Sequence, residues 1–113
     1  MDWKSLTSFD DIETINKESF DAPIVILKHS RTCSISAMAK MRLEDKWDLD
    51  LDAYYLDILS YRNLSNALAE KYQVHHESPQ LLLIKNGECT YDASHFDISV
   101  AELKESLTYN QEL

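Results

Sequence analysis

Apolar and polar positions divide the chain into short periodic stretches. Trp3 to Leu6 reads as a short edge strand, and Ser8 in front of Phe9, Ile12 and Ile15 reads as an N-cap followed by an amphipathic helix ending near Ser19. Pro23 opens the apolar run Ile24-Val25-Ile26-Leu27, which suits a strand covered on both faces. His29 to Thr32 then form a short polar turn. From Cys33 onward Ile35, Met38, Arg42 and Trp47 recur at about helical spacing among strong helix formers. Ala53 to Leu59, with two tyrosines and branched residues, predicts a second strand, and Leu64, Leu68 and Tyr72 mark one face of the next helix. A helix between two strands makes a βαβ unit, so these strands should run parallel. Gln80 to Lys85 is a third apolar strand, Asn86-Gly87 turns it into a hairpin with Cys89 to Asp92, and Asp97 to Leu107 closes as a helix burying Val100, Leu103 and Leu107.

A βαβ half followed by a ββα half, with a cysteine after the first buried strand and a Ser-Pro before the hairpin, is a thioredoxin-like arrangement. The expected fold is therefore α/β, one domain over residues 1–113, with a central mixed sheet flanked by helices. One glycine, two prolines and no repeat or charge block leave no linker. Apolar residues at 44% and charged residues at 27% are ordinary globular values. Charge changes the picture more, because a net of −9 repels nucleic acid and anionic membrane surfaces, so neither is an expected partner. No basic stretch leads into an apolar one near Met1, and no apolar run approaches the roughly 18 residues of a membrane span, so a cytoplasmic location is expected. In that compartment Cys33 and Cys89 would stay reduced rather than form a structural disulfide.

Strand, tight turn and helix place Cys33 at a helix N-terminus, where unpaired N–H groups and the helix dipole favour a thiolate. Lys28, His29 and Arg31 are expected to add positive charge around it. Cys33-Ser34-Ile35-Ser36 has CxxC spacing with serine in the second position. Ser36 cannot resolve a mixed disulfide, but its hydroxyl, one helical turn away, can donate to the thiolate. The implied chemistry is attack by Cys33 on a disulfide, followed by rescue from an outside thiol. A cysteine at a helix start can also be a small buried hydrophobe, and only the βαβ context favours the reactive role. Ser78-Pro79 is the expected cis peptide, with the Ser78 backbone placed to pair with an incoming thiol compound. Cys89 reads as a packing or rim residue of the hairpin, His75-His76 as a polar loop or strand lead-in rather than a zinc site, and Tyr54, Tyr55 and Tyr61 as half-buried sheet residues.

The stretch from Ile26 to Ser36, Ile-Leu-Lys-His-Ser-Arg-Thr-Cys-Ser-Ile-Ser, resembles the YtxJ family, the monothiol bacilliredoxins. The likeness extends from Trp3 through the Ser78-Pro79 loop to the Asn86-Gly87 hairpin. It implies a monothiol thiol-disulfide oxidoreductase that removes bacillithiol from S-bacillithiolated client proteins, with Cys33 as nucleophile and bacillithiol as co-substrate; no resident cofactor is expected. Arg31, Thr32, Ser34, Ser78 and Pro79 are the expected substrate-binding residues, and Cys33 and Ser36 the catalytic pair. Because bacillithiol carries a malate dicarboxylate, Lys28, Arg31 or the helix N-terminus are sensible contacts for it. A glutathione-using glutaredoxin-like protein, a non-catalytic redox-sensing adaptor and a carrier of a shared iron-sulfur cluster fit the same residues.

Overall fold

The structure, a computed structural model, describes the backbone of residues 1–112 and side chains as far as Thr108. In chain order the elements are β1 (Trp3–Ser5), α1 (Phe9–Glu18), β2 (Ile24–His29), α2 (Ser34–Lys46), β3 (Asp52–Asp57), α3 (Arg62–Tyr72), β4 (Gln80–Lys85), β5 (Glu88–Ser94), a 3₁₀ turn (His95–Asp97) and α4 (Val100–Glu112). The strands form one five-stranded sheet in the order β1-β3-β2-β4-β5. β3 lies parallel to both β1 and β2, as the βαβ crossover requires, while β4 and β5 run antiparallel.

Alternation along the central strands sends side chains into two separate cores. Ile24 and Ile26 of β2, with Leu82 and Ile84 of β4, pack against Ile12 and Ile15 of α1 and Leu64, Leu68 and Tyr72 of α3. Val25, Leu27, Leu81 and Leu83 pack on the other face against Ala39 and Leu43 of α2 and Val100 and Leu103 of α4. Both faces of β2 are covered, so the whole strand is buried and reads as an unbroken apolar run.

Ser8 caps α1 as expected: its Oγ accepts from the Asp11 N–H at 3.1 Å, while Asp11 Oδ2 accepts from the Thr7 N–H at 2.9 Å. Asn86 and Gly87 both have positive φ, 52° and 77°, the geometry of a tight hairpin turn.

Three expectations need correction. β2 runs on through His29, so only Ser30 to Thr32 remain as turn. In α2 the face toward the sheet is Ser36, Ala39 and Leu43, whereas Met38 and Arg42 point outward. Small residues at 36 and 39 let the helix approach the sheet closely, which a methionine stripe would prevent. α4 begins at Val100 rather than Asp97, because Ser99 Oγ accepts from the Glu102 N–H at 3.1 Å and sets the start there.

Candidate functional site

β2 hands the chain to a turn closed by the Cys33 N–H donating to the Ser30 carbonyl at 3.1 Å. Cys33 is then the N-cap of α2, with extended backbone and its carbonyl accepting from the Ala37 N–H at 3.1 Å. Its side chain makes no capping hydrogen bond of ordinary geometry. The orphan donors of the first turn serve the sulfur instead: the Ser36 N–H first, then that of Ile35, hold the Cys33 thiol below its ordinary range, against a smaller opposing effect of burial. The Ser36 hydroxyl adds to them. Ser36 is fully buried, and because its Oγ already accepts from the Ser30 N–H at 3.3 Å, its own proton is free for the sulfur.

The side chains expected to surround Cys33 with charge do not do so. The Lys28 side chain lies on the α1/α3 face of β2, fully buried, because strand alternation opposes it to His29. His29 is buried on the α2 face, where its Nδ1 meets the Tyr55 hydroxyl at 2.9 Å. Burial and then the nearby Lys40 lower its pKa, so it tends to be neutral. The Arg31 guanidinium is exposed but pairs with Asp57 at the end of β3 and donates to Ser60 Oγ at 3.2 Å. Asp57 is held below the usual carboxylate range by the Ser60 hydroxyl, the Leu59 N–H and Arg31, which together outweigh its burial. Thr32 and Ser34 are exposed beside Cys33, and Thr32 Oγ1 lies 3.3 Å from Ser30 Oγ. The thiolate is therefore favoured by the backbone N–H groups of the first turn and the Ser36 hydroxyl rather than by a neighbouring cation. Asp57 and Ser60, which anchor Arg31, carry no sequence signal beyond their place at the end of a strand.

The Ser78-Pro79 peptide is cis. Pro79 is buried just before β4, and Gln80, which opens the strand, pairs with Lys28 across the sheet. Ser78 Oγ and Gln80 Oε1 are buried and, among the described residues, have no hydrogen-bond partner. Gln80 Nε2 donates to the His75 carbonyl at 2.9 Å, and His76 Nδ1 lies 3.1 Å from Ser65 Oγ and 3.3 Å from Lys28 Nζ. The sequence alone does not show this second polar cluster, because only the fold joins residues 28, 65 and 76.

Cys89 sits opposite Ile84, which faces Ile24 at the start of β2, whereas Cys33 lies beyond its end. Five residue rises of about 3.3 Å separate the two ends, so the cysteines are well outside the roughly 7 Å Cα reach of a disulfide. Burial pushes the Cys89 thiol up to about 11, and its Sγ donates to the Tyr91 carbonyl at 3.3 Å. Among the described residues no group of three or more His, Cys, Asp or Glu converges as a metal site, and no helix is long and apolar enough to cross a membrane.

A mixed sheet of this order, a helix-capping cysteine and a cis-proline loop define a thioredoxin-fold protein with a thiol redox function. Residues 4–103 match the model of the monothiol bacilliredoxin family, BrxC, and the chain belongs to that family. A solved structure described as a candidate oxidoreductase with a thioredoxin fold is 37% identical, with 91% of each chain covered and a TM-score of 0.79. The thioredoxins of Malassezia sympodialis (16% identical, 96% of this chain and 90% of that one, TM-score 0.74) and Trypanosoma brucei brucei (12%, 99% and 93%, TM-score 0.73) share the fold.

Proposed function

We propose that the protein strips bacillithiol from S-bacillithiolated proteins. The Cys33 thiolate attacks the bacillithiol sulfur of the mixed disulfide, a Cys33–bacillithiol disulfide forms, and the client sulfur leaves as a thiolate that takes a proton from solvent. A second bacillithiol, as thiolate, then attacks the captured bacillithiol sulfur, which yields oxidised bacillithiol and returns the Cys33 thiolate. The observation that carries this reading is the first turn of α2: it favours an anionic sulfur and puts the oxygen of Ser36 where a resolving sulfur would stand. Membership of the monothiol bacilliredoxin family supports bacillithiol as the thiol. Arg31, held at its Nη1 by Asp57 and Ser60 and otherwise exposed, is the candidate contact for the malate carboxylates. Thr32, Ser34 and the Ser78-Pro79 backbone would line the approach of the incoming thiol compound.

The test is mass spectrometry of the protein incubated with oxidised bacillithiol, with oxidised glutathione in parallel. Wild type and Cys89→Ala should gain one bacillithiol that free bacillithiol removes, and Cys33→Ala should gain none. Preference for glutathione would reassign the carrier thiol, and an adduct that free thiol does not release would identify a redox-sensing adaptor.

A further inference from the structure

Lys28 is an ammonium buried completely in the sheet and, among the described residues, it forms no ion pair. Taking such a charge out of water costs several kcal/mol unless its protons find good acceptors. Those it has are the Ser65 carbonyl of α3 at 3.1 Å and His76 Nδ1 of the α3–β4 loop at 3.3 Å. An ammonium cannot accept, so Nδ1 must, which puts the ring proton of His76 on Nε2. Ser65 Oγ lies 3.1 Å from the same nitrogen and shares that atom's single lone pair with Lys28. The neighbouring His75 carbonyl is held by Gln80, the cross-strand partner of Lys28. Groups from β2, α3 and β4 thus pin two successive residues of the loop just before Ser78-Pro79.

We propose that Lys28, Ser65 and His76 form a positioning cluster that fixes the Ser78-Pro79 backbone for docking of the mixed disulfide, and that protonation of His76 releases it. The proposal rests on the debacillithiolation reading for its substrate, but the state of the loop can be measured without any substrate. The charged and titratable groups that act on His76 are Lys28 from β2, Arg62 from α3, and His75 and Glu77 from the loop. Glu77 is the sole acid among them and also faces His75 at 3.9 Å and His95 at 3.4 Å. A proton on Nδ1 would remove the acceptor of Lys28 and set two cations against each other. Burial first, then Lys28, Arg62 and His75, hold the ring neutral and outweigh Glu77. Release therefore comes only as pH falls below the ordinary histidine range.

Three readouts test this on wild type, His76→Asn and Lys28→Met: hydrogen-exchange protection of residues 74–80, iodoacetamide alkylation of Cys33, and kcat/KM for a bacillithiolated peptide, each from pH 5 to 8. Wild-type loop protection should fall about tenfold between pH 7 and 5 after correction for intrinsic exchange. In His76→Asn, whose amide oxygen accepts but does not titrate, protection should persist at pH 5, and kcat/KM should follow the alkylation profile alone. Lys28→Met should expose the loop already at pH 7 and raise KM severalfold, with alkylation unchanged. Wild-type protection independent of pH, or the same pH dependence in His76→Asn, would overturn the cluster's role. Absence of peptide reduction in wild type would instead defeat the substrate reading and leave the exchange result to decide the cluster.

Discussion

Ser36 shows how much one side chain can settle. Its N–H and its hydroxyl both favour the anionic Cys33 sulfur, and its oxygen also accepts from the Ser30 N–H at the start of the turn. Replacing it with alanine leaves the backbone donors but removes two hydroxyl interactions, the one to the sulfur, worth about 1 kcal/mol, and the one from the Ser30 N–H. Alkylation of Cys33 in Ser36→Ala at pH 7 should slow about fivefold, and its pH profile should move upward. An unchanged profile would mean that the backbone amides suffice. The sequence disclosed this pair by spacing alone, together with the Ser78-Pro79 bond. It did not disclose the surroundings of Cys33, because the reach of β2 decides them: with Lys28 and His29 inside the strand, their side chains go to opposite faces and into the interior. Only Arg31, one residue into the turn, stays outside.

Among the elements, those with strong periodicity or a clear cap were legible, namely α1 behind Ser8, α3, and the β4–β5 hairpin behind Asn86-Gly87. The phase of α2 was not, since Met38 and Met41 are apolar yet exposed while its inward stripe includes a serine. Hydrophobic counting cannot detect a helix that packs through small side chains. The hairpin is also tied to α1, with the Asn86 and Gly87 N–H groups donating to the carbonyl and hydroxyl of Ser19, both at 2.9 Å. A methyl on Gly87 would sit 2.7 Å from the Phe20 ring, at a φ of 77° that disfavours any side chain. Gly87→Ala should therefore lose about 1–2 kcal/mol in urea unfolding. Alkylation of Cys33 should be unaffected, because the turn is at the far end of the sheet.

At the scale of the whole molecule, the two cores lie on opposite faces of the sheet, and Lys28 is a charge buried in that middle layer. Its pKa falls from 10.5 to about 8 through burial, so between those values the unfolded chain binds more protons and stability rises with pH. Below pH 8 the full penalty applies, on the order of 3 kcal/mol for a shift of this size. Lys28→Met should then be more stable than wild type at pH 7, by about 1–3 kcal/mol in denaturant titration, with the difference shrinking from pH 8 to 10.5. Cys89, pushed up to about 11, contributes the opposite slope in both proteins and largely drops out of the comparison. A less stable Lys28→Met would mean that the hydrogen bonds to Ser65 and His76 outweigh desolvation. At Cys33 the fold favours the charged form where at Lys28 it disfavours it. Native structure favours the anionic sulfur over the uncharged one, and by thermodynamic linkage anything covalently attached to that sulfur forfeits the preference. A protein carrying a disulfide at Cys33 is thereby the higher-energy form, so that disulfide should be a stronger oxidant than one between two unstructured thiols.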